Sequence, residues 1–211
     1  MPSIPHHILM PGASKRMEAL SDGIFAIAAT ILVLEIRVPK LKHGFTTDEL
    51  EHSLLEVLPS FIAFVFSFLN ILIFWVNHDA INKVIRHYDV KTTYLNILFL
   101  LCISLIPFTT AFVSEYPFSQ TAITCYGLVL FFCSLIAVLM YRHLAFKSDS
   151  LLPAVTMASR KRIWNRVAFS PILYLGTILL GFIHVYIPIV VYIILPVTFM
   201  FLPQMDFEEQ E

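Results

Sequence analysis

The chain has 211 residues, 58% of them hydrophobic and only 14% charged, with a mean hydropathy of +0.79. Soluble domains are typically about 45–50% apolar and about 25% charged, so too few polar side chains are present to cover a water-soluble globule of this size. Fourteen Lys and Arg against fifteen Asp and Glu leave a formal net charge of −1, which gives no bias toward nucleic acid or another polyion. Soluble enzymes, DNA-binding proteins and disordered tails are excluded, and a lipid bilayer is the expected partner.

The opening MPSIPHHILMPGASKR has no continuous apolar run and no small-residue cleavage site, so no signal peptide is expected to be removed. A helix needs about 20 mostly apolar residues to cross a hydrocarbon core of about 30 Å. Six segments meet that requirement: Met17–Val38, Leu54–Val76, Thr92–Val113, Ser119–Tyr141, Ile163–Phe182 and Val185–Leu202. They predict an all-α protein with six transmembrane helices in a single integral membrane domain over residues 1–211. Pro107, Pro171 and Pro196 fall inside spans and predict kinks that neighbouring helices repair. Cys102, Cys125 and Cys133 lie in apolar runs without metal-ligand spacing and read as small core hydrophobes.

Lys and Arg set the orientation. With a cytosolic N-terminus, the inner segments hold Lys15, Arg16, Lys83, Arg86, Lys91, Arg142, Lys147, Arg160, Lys161, Arg162 and Arg166, against Arg37, Lys40 and Lys42 outside. Both termini are therefore expected inside a cell membrane crossed several times. The outer segments carry Glu35, Asp48, Glu49, Glu51, Glu56 and Glu115. These either attract cations to an outer mouth or form an ordinary solvated loop.

The first span is the most informative. Between Asp22 and Glu35 lie the uncharged residues GIFAIAATILVL. Thirteen steps at about 1.5 Å give roughly 20 Å, less than the hydrocarbon thickness. At least one carboxylate therefore sits within the membrane's depth, facing protein or a water-filled cavity rather than lipid. Trp75, Asn77, His78 and Asp79 end the second span at the same level, and His78 or Asn77 can donate to Asp22 or Ser21. Arg16 lies about a turn and a half below. Such a network serves either to fix helix positions or to bind an ion directly. Gly23, Ile27, Thr30 and Leu34 recur at steps of 4, 3 and 4 and form one stripe along the helix. On spacing alone that stripe is either helix packing or a pore lining.

The run from Arg16 to Gly23, followed by FAIAATILVLEIRVP after Ile24, resembles the R-x-x-x-F-S-D signature of the transmembrane protein 175 family. These are lysosomal potassium channels of animals and their bacterial homologues. Phe74–His78 (FWVNH) and Tyr94–Phe112 resemble the family's second and third helices. Leu20 departs from the pattern, since the signature has Phe there. The resemblance implies a potassium-over-sodium selective channel that needs no cofactor, formed by four copies of the chain. The first helix of each subunit would line the pore, with potassium as the permeant ion. It further implies that Ile27 is the narrowest apolar ring, Thr30 a hydroxyl layer and Leu34 a second ring. Arg16, Ser21, Asp22, Trp75 and His78 would form a polar clamp, with Asn77 beside it. No TVGYG-type loop is present, so the constriction would be apolar and gate by dewetting.

The alternative is a secondary or proton-coupled transporter with Asp22 and His78 as a relay. Such carriers favour two matching halves with broken helices, and no such repeat is visible. Catalysis is not expected: the eight histidines are scattered, and neither HExxH nor G-x-S-x-G occurs.

Overall fold

A computed structural model describes residues 13–41 and 46–201, excluding the side chains of residues 13, 14, 166 and 199–201. Lys42 and Leu202, used above as an outer charge and a span end, lie outside the described residues. Among the described residues, eight α-helices follow in chain order: α1 Ala13–Ile31, α2 Thr47–Glu56, α3 Leu58–Asn82, α4 Val90–Glu115, α5 Gln120–Phe146, α6 Met157–Val167, α7 Ser170–Gly181 and α8 Tyr186–Phe201.

The first span ends earlier than expected. A tight 3-10 turn, Leu32–Glu35, closes α1 around the fully buried Leu32, and Ile36 is extended. Pro39 disfavours helix at the residue before it, so the chain leaves as a strand-like strap. Leu54, the expected start of the second span, falls in the last turn of α2, which meets α3 at the helical Val57 within one apolar segment, Thr47–Asn82. Thr46 and Glu49 form a reciprocal capping box, with bonds of 2.8 and 3.3 Å, which satisfies two of the free N–H groups at the start of α2. Past Val76 the span continues through Asn77, His78 and Asp79 to Asn82. Partners inside the protein or along the helix hold His78, Asp79 and Asn82, so they do not end it.

Asp89 caps α4, accepting from the Thr92 N–H at 2.6 Å and pairing with the His143 Nε2 at 2.6 Å. α4 runs unbroken through Pro107. Pro171 does more than kink the fifth span. It stands at the start of α7, and the helix breaks at Ala168–Phe169 into α6 and α7. Proline is tolerated in a first helical turn and disrupts an interior. Among the described residues, five helical segments are long and apolar enough to cross a membrane, and α8, described over 16 residues, is shorter.

α5 is the central pillar, packed on α4 and α7, while α1 lies against α3 and α4. The core joins Phe25, Leu32, Ile71, Phe99, Ile103, Ile106, Leu130 and Tyr192. A second cluster, including Ile81, Tyr88, Tyr141, Leu144, Leu151 and Ile163, gathers at the basic end. There a bridge between Ile85 and Leu151 ties the two connecting loops together. Many large apolar side chains remain exposed, among them Phe61, Tyr94, Phe108, Ile172 and Leu179. That pattern is incompatible with water and suits lipid.

Close packing at Gly127 gives a test. A Cβ there would meet the Tyr192 hydroxyl and would lie 2.8 Å from Ile178 Cγ1, whereas one at Gly176 meets nothing within 4 Å. Gly127→Ala should destabilise the protein by about 1–3 kcal/mol through overpacking. Gly176→Ala should be neutral or stabilising, and thermal melting in detergent reads both.

Candidate functional site

Helix α1 has two unlike faces. Ser21, Phe25, Ala28, Ala29 and Leu32 are buried against α3 and α4. Gly23, Ile27, Thr30 and Leu34 lie on the opposite side and are exposed, Ile27 at 59% and Leu34 at 73%. The Thr30 hydroxyl donates to the carbonyls of Ala26 (2.8 Å) and Ile27 (3.1 Å). Its hydrogen is thereby committed to the helix, and its oxygen presents lone pairs on the exposed face.

A directed chain of hydrogen bonds sets which face is which. The Ser21 hydroxyl donates to the Met17 carbonyl at 2.8 Å, so it can only accept from Asn96 Nδ2 at 3.0 Å. That fixes the Asn96 amide, whose Oδ1 faces His78 Nε2 at 2.7 Å and must receive a proton from it. On the other side, the Tyr88 hydroxyl donates to Asn82 Oδ1 at 2.6 Å, so Asn82 Nδ2 donates to His78 Nδ1 at 3.1 Å. Every partner is satisfied by a neutral ring protonated on Nε2. His78 is nearly inaccessible, with Phe99 stacked on it at 5.6 Å and Phe25 tilted against it at 5.6 Å.

Asp22 is held differently. Trp75 Nε1 donates to its Oδ1 at 2.9 Å on the exposed side of the α1–α3 contact. The expected donation from His78 or Asn77 to Asp22 or Ser21 is therefore replaced. Trp75 serves Asp22, and Asn96 relays between His78 and Ser21. Asn77 lines a small cavity of about 70 Å³ with His78, Ser134 and Ser170. Arg16 is exposed and makes no ion pair within the described chain.

Asn96, Asn82 and Tyr88 were missing from the sequence reading. Asn96 had a usable signal, an amide within the apolar run of α4, because a polar side chain at that depth needs a partner. A second set also went unread, in which Thr110 donates to Ser67 at 2.8 Å and Ser67 shares a bond of 3.0 Å with Tyr126. At the acidic end, Glu35, Glu56 and Glu115 line a cavity of about 480 Å³ with Arg37, Ser60 and Ser114. Asp48, Glu49 and Glu51 stay exposed on α2. Among the described residues, no group of three or more His, Cys, Asp or Glu could hold a metal ion.

A family model described as "Endosomal/lysosomal potassium channel TMEM175" matches residues 16–107. The relative named "Potassium channel Cha6605_3372" of Chamaesiphon minutus is 36% identical over 187 residues, covering 87% of this chain and 92% of that one. The chain belongs to the TMEM175 family. Its fold also resembles the crystal structure of a lysosomal potassium-selective channel TMEM175 homologue from Chamaesiphon minutus, with TM-score 0.79 and 34% identity over 90% of this chain and 97% of that one. A human relative, named "Endosomal/lysosomal proton channel TMEM175", is 27% identical over 72% of this chain and 32% of its own length. With its apolar helices, this TMEM175 homologue is a multi-pass membrane protein.

The hydrogen-bond chain predicts the effect of cutting it. Asn96→Ala leaves the His78 Nε2–H without an acceptor and should destabilise the protein by about 1–3 kcal/mol. Trp75→Phe, on the more exposed Asp22 contact, should have the smaller effect. Both are measured as detergent melting temperatures.

Proposed function

We propose that this chain is a potassium channel, preferring potassium to sodium, in which four copies bring their α1 helices together around one axis. The carrying observation is the exposed Gly23–Ile27–Thr30–Leu34 stripe on α1, whose opposite face is packed in the core and tied to α4 by the buried Asn96–Ser21 bond. Six helices of one chain cannot readily enclose a pore with a single short helix, whereas four copies of α1 can. On this reading Ile27 forms the narrowest apolar ring, Thr30 a layer of hydroxyl acceptors and Leu34 a second ring toward the acidic end. Gly23 leaves room below them. An apolar ring discriminates ions by what their dehydration costs and gates by dewetting. Potassium holds its water less tightly than sodium.

Ser21, Asp22, Trp75 and His78 position the helix, and Arg16 and Asn77 stand beside that network. The protein sits in the cell membrane with both termini cytosolic, as the basic residues at one end favour. The names of the Chamaesiphon relative and of its structural counterpart support potassium as the permeant ion. A proton-coupled carrier would need Asp22 and His78 joined as a relay. Their separate partners, Trp75 for one and Asn96 with Asn82 for the other, favour the channel.

Planar-bilayer recording of the purified protein between potassium and sodium solutions tests the proposal. Ohmic current with a reversal potential displaced toward potassium is expected. Saturating flux that needs a counter-ion gradient, or a reversal potential that follows pH alone, would reject it. Ile27→Ala should widen the ring and shift the reversal potential toward zero. Thr30→Val, nearly constant in volume, should alter selectivity more than expression.

A further inference from the structure

The second core cluster joins the end of α5 to α6 through a set of specific contacts. The Tyr141 hydroxyl donates to the Arg160 carbonyl at 3.0 Å. The Arg160 guanidinium donates to the carbonyls of Ala145 and Val155, each at 3.1 Å. The Phe146 ring meets Trp164 edge-on, with centroids 5.9 Å apart and planes at 88°. Arg160 is therefore consumed in holding α6 across the end of α5.

The neighbouring cations are not consumed. Arg142, Lys147, Lys161 and Arg162 are all exposed, and none makes an ion pair within the described chain. Arg142 stands one helical turn before Phe146, and Lys161 three residues before Trp164. Residues three or four apart share a helix face, so Arg142 lies on the face of α5 that carries Phe146, and Lys161 on the face of α6 that carries Trp164. Asp149 is the exposed carboxylate closest in sequence, and four cations outweigh it.

The depth of this cluster follows from α5. Gln120–Tyr141 contains no charged residue, and its 22 positions rise roughly 33 Å, the thickness of the hydrocarbon core. Arg142 thus emerges at the boundary, with Phe146 roughly 6 Å farther out among the headgroups. Tryptophan is enriched at that level, and the phosphates of lipids lie there too.

We propose that Arg142 and Lys161, with the Phe146–Trp164 pair, form a binding site for the headgroup of an anionic phospholipid. The two cations hold the phosphodiester, and the aromatic edge packs on the glycerol region. Lys147 and Arg162 add attraction at longer range. The site is separate from α1 and depends on neither the permeant ion nor the number of subunits.

Native mass spectrometry of the purified protein, titrated with phosphatidylglycerol or phosphatidylcholine of the same acyl chains, tests the site. The wild type should prefer phosphatidylglycerol. Each interfacial cation is worth about fivefold, so the Arg142→Gln/Lys161→Gln double variant should lose about 25-fold of that preference. Arg142→Lys/Lys161→Arg should keep it, and so should Lys40→Gln at the opposite end. A melting temperature near the wild-type value shows that the double variant is folded, and the charge-conserving variant tests the site independently of that. Equal binding of both lipids by the wild type, or less than about threefold loss in the double variant, would overturn the proposal. So would equally tight binding of free glycerol phosphate, which would mark a soluble-anion site instead.

Discussion

A bilayer has no water with which to satisfy a polar side chain, so each one placed there must find its partner in protein. In this chain that constraint falls on α1. Ser21 donates within its own helix to Met17, but the buried Asn96 of α4 finds its acceptor in Ser21 only if α1 turns that side chain inward. Once it does, the 100° step per residue carries Phe25, Ala28, Ala29 and Leu32 into the core and leaves Ile27, Thr30 and Leu34 on the far side. The rotation of α1 is thus set by hydrogen bonding, and the composition of its free face follows. His78 makes the arrangement stiff because both ring nitrogens are used, each in a defined role. The two phenylalanines against the ring exclude any competing partner.

Much of this was legible in the residues. The short distance from Asp22 to Glu35 places ionisable groups at membrane depth, and it points to Trp75 and His78 as the level where partners must lie. The stripe of Ile27, Thr30 and Leu34 follows from spacing alone. The pairing within the network was not legible. Trp75, Asn77 and His78 are consecutive or nearly so, and which of them reaches Asp22 depends on how α3 is rotated. Sequence spacing does not contain that rotation. Asn96 was overlooked because a single amide barely lowers the hydropathy of α4, although its need for a partner is as real as that of a charge.

The boundaries failed where local chemistry overrode hydropathy. Leu54 and Leu55 read as the start of a span; they sit in the last turn of α2, so the helix itself begins earlier, at the Thr46–Glu49 box that was present in the sequence as a helix start. At the other end of α3, residues 77–82 looked like an exit from the membrane and are instead helical, with the His78, Asp79 and Asn82 side chains engaged. Pro171 read as a kink and proved to be a helix start, a distinction set by the break at Ala168–Phe169 and invisible to composition. The chain's two ends also differ in kind. The basic end is tied together by the loop bridge and by Arg160, while the acidic end holds an open cavity beside the exit of α1.

The account stands on the free face of α1 meeting its own copies. Cysteine cross-linking measures this directly, in a background with Cys102, Cys125 and Cys133 replaced by serine. With Ile27→Cys in membranes, mild oxidation should give disulfide-linked dimers in high yield, while Phe108→Cys on the exposed side of α4 should give none. If the cysteine at position 27 stays monomeric and is instead quenched by lipid-soluble probes, that face looks at acyl chains and no pore is built from it.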